Sequence, residues 1–167
     1  IAGKRVKTVD LHAHCFVPEV MDLVKDTPLA QTAKGVLGQG VIALGNPQRL
    51  IDMDAQGIDY QAINVNAWGY NADKALARDL IALQNERISQ YVGKNPDRFV
   101  GMAAFPMQFP DLAADALEDG VKRLGLKGGG ISAGFLADKE FSAPEYDVFW
   151  AKAQELGIEI WDEARLL

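Results

Sequence analysis

Four times along this chain a short apolar run gives way to a longer stretch of helical periodicity that ends at a glycine, and a fifth apolar run follows. That alternation limits the fold more than any other feature. The runs are Val6–Leu11, Ala62–Asn66, Phe99–Phe105, Leu126–Ser132 and Ile158–Trp161. The helical stretches begin near Pro47, Asn71, Asp111 and Pro144, and Gly57, Gly93, Gly125 and Gly157 follow them. Asn46 before Pro47 reads as a cap followed by proline at the first helical turn, and Asn71 reads as the cap of the second helix. Leu76, Leu80, Leu83, Ile88 and Tyr91 recur at helical spacing. Repeated strand–helix units imply an α/β domain with a parallel sheet and right-handed crossovers. The architecture is then an open, doubly wound sheet or part of an eight-stranded barrel. A complete barrel takes about 250 residues, so the 167 residues favour the open sheet on length alone. All of residues 1–167 read as one domain, with a connection at about 15–45 that carries Pro18, Pro28 and several glycines and reads as loop or lid, with Phe16 at its start.

The chemistry concentrates at the first strand's C-terminal end. His12 and His14 are the only two histidines in the sequence. Residues i and i+2 of a strand share a face, and two imidazoles there can grip one divalent metal ion. In parallel α/β folds this end of the sheet is also where active sites are built. Asp10 is taken to face away from His12 and not to be a ligand. Trp68 and Asn66, just past the second strand, are candidate substrate-binding residues, a ring to stack on a planar acid and an amide to hydrogen-bond it; packing and turn roles compete with both. Arg49 reads as a solvated residue of a helix start. Cys15, the single cysteine, excludes an internal disulfide, fits a reducing cytoplasm and reads as a buried thiol. Gly128–Gly130 reads as close backbone packing.

Charge and composition narrow the class further. A formal net charge of −6, without a basic stripe, argues against nucleic acid as a partner. No apolar run reaches the roughly 18 residues of a membrane span, and nothing resembling a signal peptide opens the chain. A cytoplasmic enzyme of small molecules is the expectation. Gly35, Gly38 and Gly40 lack the strand–turn–helix setting of a dinucleotide fingerprint, and no phosphate-binding loop is present. A flavodoxin-like binding module would fit the alternation but would leave the paired histidines unexplained.

Val9-Asp10-Leu11-His12-Ala13-His14 resembles the metal-binding opening of the amidohydrolase superfamily, in the branch of aminocarboxymuconate-semialdehyde decarboxylase and related aromatic-acid decarboxylases and hydrolases. Arg49 to Asp59, Asn95 to Met102, Phe105 to Gln108 and Phe149 to Gly157 are similar to that branch in the same order. The resemblance implies a (β/α)8 TIM barrel, of which these residues would be the N-terminal portion, about four βα units and the start of strand five. It implies a metal, with zinc the first expectation and manganese the alternative, and places the ligand role on His12 and His14. It implies a small carboxylic acid as substrate, lost as carbon dioxide in the decarboxylase version or attacked at a carbonyl in the hydrolase version. The family pattern continues with a third histidine in strand five, whereas this chain reads Trp161-Asp162-Glu163 and stops soon after, as a truncation or shifted frame would. Glu163 falls about where that histidine would lie. A half-barrel with an open sheet edge is expected to self-associate, and one without its remaining ligands to be catalytically silent.

Overall fold

The structure is a computed structural model, which describes residues 3, 5–38, 43–66, 68–132, 136 and 139–162. Its centre is a parallel sheet in the order of the sequence. β1 (Val9–Cys15) pairs with β2 (Tyr60–Val65), and β2 with β3 (Phe99–Gly101). After Met102 the same stretch continues as β4 (Ala103–Ala104), which pairs with β5 (Gly129–Ile131), and β5 pairs with β6 (Ile160–Asp162). The expected single strand at 99–105 is therefore divided, its first part bonded to β2 and its second to β5. Met102 N–H donates to the Ile63 carbonyl at 2.9 Å and Ala103 N–H to the Gly128 carbonyl at 2.8 Å, so the two halves of the sheet remain joined. This is five strands' worth of a barrel wall.

The other expected runs and helices form, with instructive shifts. Residues 61–65 of β2 are all buried, as parallel strands covered on both faces require. The connection at 15–45 is not a plain loop. It holds the short α1 (Val20–Val24) and α2 (Leu29–Gly38), whose Val20, Val24, Leu29, Ala33 and Val36 are buried. α3 (Gln48–Gln56) starts where Asn46 Oδ1 accepts the Gln48 N–H at 3.0 Å, and Gly57 closes it in the left-handed region at φ 71°. α4 (Lys74–Lys94) is capped by Asp73, not Asn71: the Asp73 carboxylate accepts the Leu76 N–H at 2.9 Å. α5 (Pro110–Lys122) begins with proline in its first turn, and α6 (Asp147–Leu156) follows a 3-10 turn at Pro144–Tyr146.

One apolar core runs through the sheet and its helices, with Ile63, Phe99, Phe105, Met107, Leu117 and Phe149 almost fully buried. Phe16 belongs to this core and is 1% exposed, so it does not line an open lid. The glycine run packs closely as expected: a Cβ on Gly129 would stand 2.0 Å from the Phe105 ring. At the sheet's outer edges the packing thins. Val9 and Leu11 on β1 are exposed by 51% and 53%, and Trp161 on β6 by 42%. Among the described residues β1 and β6 each have a strand partner on one side only. None of the described helices is long and apolar enough to cross a membrane.

Candidate metal centre

β1 departs from regular pairing where the histidines lie. Asp10 is in register with Gln61, but the next pair is Ala13 with Ile63, so β1 spends one more residue than β2 over this interval. The extra residue is a bulge at Leu11–His12, a device that bends a strand and re-aims its side chains. The two rings meet edge to face, centroids 4.8 Å apart at 71°, with Nε2 of His12 3.0 Å from Nε2 of His14. Two nitrogens sharing one ion at about 2.0–2.1 Å lie about 2.9–3.4 Å apart for bond angles between 90° and 110°. The pair fits a common ion. Without one, the same separation suits an N–H···N hydrogen bond between one protonated and one bare nitrogen.

A network of polar side chains underlies the pair. Arg49, expected in solvent, is 4% exposed. Its Nη2 donates to the His14 carbonyl at 2.6 Å and its Nη1 to Gln61 Oε1 at 3.0 Å. Gln61 Nε2 in turn donates to Asp10 Oδ2 at 3.0 Å, and Asp10 Oδ1 accepts the His12 N–H at 3.1 Å. Asp10 stands two residues before His12, so unbroken alternation would put both on one face; the bulge interrupts that alternation, and Asp10 engages Gln61. Among the described residues no group of three His, Cys, Asp or Glu side chains is placed to hold a metal ion. Glu163 lies outside the described residues.

Arg49 had a signal in the sequence. It lies four residues before Met53, on the stripe of α3 that faces the core. Gln61 and Asn64 had another, as polar residues inside a strand buried along its length. Cys15, 1% exposed, has its thiol pushed up to about 12 by burial, opposed only in part by the Arg49 charge. It is not a nucleophile at neutral pH.

Asn66 and Trp68 come together, but not with the histidines. Both line a narrow, mainly apolar pocket with Tyr70, Leu80, Phe105 and Gly130. Trp68 is 4% exposed and stacks on Phe16 at 6.2 Å between centroids. Asn66 Oδ1 is buried without a hydrogen-bond partner among the described residues. His12 and His14 are not part of that lining.

Residues 9–160 match the family described as Amidohydrolase. A gamma-resorcylate decarboxylase of Polaromonas sp. (strain JS666) is 35% identical over 117 residues, which cover 65% of this chain and 36% of that protein. The crystal structure of a dihydroxybenzoic acid decarboxylase from Polaromonas sp. JS666, with bound manganese and the inhibitor 2-nitroresorcinol, superposes with a TM-score of 0.75 at 27% identity, over 96% of this chain and 50% of that one. The fold is also that of 5-carboxyvanillate decarboxylase from Sphingomonas paucimobilis, with a TM-score of 0.80 at 22% identity, over 93% of this chain and 51% of that one. The chain thus spans between about a third and a half of these relatives' lengths. It belongs to the amidohydrolase family and carries about half of that family's barrel.

Proposed function

We propose that this chain contributes the first-strand metal ligands of a non-oxidative decarboxylase of aromatic or unsaturated carboxylic acids. The observation that carries the reading is the convergence of the His12 and His14 Nε2 atoms, 3.0 Å apart at the C-terminal end of a parallel strand. A divalent ion held by that pair would supply Lewis-acid polarisation of a substrate carboxylate. Zinc suits two imidazoles, and the manganese in the Polaromonas structure supports manganese as the alternative. A catalytic ion of this kind takes three protein ligands and an open position, so the pair is part of a set.

Asn66 and Trp68 are the substrate-binding residues of this reading. The Trp68 indole, held by Phe16, offers a rigid apolar wall to a planar acid, and Asn66 Oδ1 is an acceptor for a substrate hydroxyl. The pocket they share is narrow and mainly apolar, and a low local dielectric strengthens any hydrogen bond made inside it. No residue of this chain is assigned the proton that replaces the carboxylate.

The test is incubation of the manganese-loaded and zinc-loaded chain with hydroxylated benzoic acids and muconate-like acids, following carbon dioxide and the decarboxylated product. Product formation that is lost in His12→Ala supports the reading. Hydrolysis of an ester or amide in its place would make the chain a hydrolase of the same family. Neither activity, with metal bound, would make it a silent half-barrel. The exposed Val9, Leu11 and Trp161 at the two sheet edges favour self-association in any of these cases. Light scattering that showed only monomer would remove that part.

A further inference from the structure

Resting on the metal reading of the histidine pair, we infer that Arg49, Gln61 and Asp10 form a positioning relay that holds the bulged segment of β1 so that both imidazoles face one ion. The bonds close a ring around the bulge. Asp10 fixes the His12 N–H, Gln61 links Asp10 to Arg49, and Arg49 fixes the His14 carbonyl. Each histidine is thus held at its own backbone, one at an N–H and one at a carbonyl. The relay crosses from β1 to β2 at the pair Asp10 and Gln61, the last one in register before the bulge. Bulges are rare between parallel strands, and the His12 N–H inside this one bonds the Asp10 carboxylate.

A core without a site would have no use for these groups. A buried guanidinium and a buried glutamine cost free energy unless every bond is made, and α3 could cover β2 with an apolar side chain at position 49. Groups behind metal ligands orient them, and losing such a group commonly lowers metal affinity about 10–100-fold. Arg49 is suited to the role because its planar fork reaches two acceptors in fixed directions, which a lysine cannot do.

The polarity of the relay can be reversed, and that gives the test. Gln61→Glu keeps the acceptor for Arg49 but sets a carboxylate against the Asp10 carboxylate. Adding Asp10→Asn restores a donor: the new amide at position 10 donates to the new carboxylate at position 61 and still accepts the His12 N–H. Manganese binding by the full chain is measured by titration with paramagnetic resonance, and the histidine ring nitrogens are followed by NMR without metal. The expected result is a loss of about 10-fold or more in manganese affinity for Gln61→Glu and recovery to within about 3-fold of the unaltered chain in the double variant. The ring shifts should follow the same order, displaced in the single variant and restored in the double. Affinity and shifts unchanged by Gln61→Glu, or not recovered in the double variant, would overturn the relay. If the unaltered chain takes up no manganese, the metal reading fails and the ring shifts alone decide on the relay.

Discussion

The two halves of the sheet hold their shape by opposite means. Around β1 and β2 the interior is polar: Arg49, Gln61, Asn64 and the Asp10 carboxylate lie among Ala13, Cys15 and Ile63, and hydrogen bonds set the geometry. Around β4 and β5 the interior is rings against glycine, with Phe105 lying on Gly129 and Met102 against Gly128. Hydrogen bonds fix direction at the cost of needing every partner, whereas close packing fixes distance and tolerates no added atom. The first half carries the histidines, which need direction. The second half forms part of the wall of the pocket at Phe105 and Gly130, which needs shape.

The largest effect should come from adding one carbon to the packed half. In Gly129→Ala the new methyl meets the Phe105 ring at 2.0 Å and the Ala103 carbonyl at 2.9 Å, and neither can withdraw without moving β4. Destabilisation of about 3 kcal/mol or more is expected in urea unfolding. A loss near zero would mean that shape does not govern this half.

Arg49→Met breaks the polar half. It fills similar volume but leaves the His14 carbonyl and Gln61 Oε1 without these donors, and a loss of about 2–3 kcal/mol is expected by the same measurement. A stabilised variant would show that the buried charge is dispensable.

These residues mark where the sequence was legible. The strand–helix alternation, the glycine stops and the histidine pair were readable because period and spacing encode them directly. The type of Arg49 favours solvent, and its place on the Met53 stripe of α3 is the weaker signal. The bulge at Leu11–His12 was not readable, since it depends on bonds to Gln61 and Arg49, 51 and 35 residues from the positions they brace. α1 and α2 were hidden by Pro28, Gly35 and Gly38, which mark a loop when counted without the core contacts of Val20, Val24 and Ala33. Asp73 and Asn71 are equal as caps in type. Asp73 prevails because α4 begins at Lys74.

Asn85 gives the packed half a directional brace of its own. Its amide donates to the Ala104 carbonyl at 3.1 Å and accepts the Ala104 N–H at 2.8 Å, tying α4 to β4. Asn85→Ala should cost about 2 kcal/mol in thermal or urea unfolding, less than Gly129→Ala if packing dominates there.

The smallest expected effect at neutral pH, where it vanishes, is an alkaline slope from the polar half. The Cys15 thiol, ordinarily near 9, is pushed up to about 12 in the fold. The folded chain keeps this proton where the unfolded chain loses it, so the contribution is intact below pH 9 and is lost as pH rises toward 12. The slope is about 1.4 kcal/mol per pH unit in that window. Cys15→Ala should remove this part of the alkaline slope, measured against the unaltered chain.

If His12 and His14 together hold an ion, the chain binds manganese in a fixed ratio that depends on both rings. Manganese bound per chain would be counted by plasma mass spectrometry after equilibrium dialysis, for the unaltered chain beside His12→Ala and His14→Ala. Close to one ion per chain is expected, lost in either variant. Equal retention in all three proteins, or none in the unaltered chain, would contradict it.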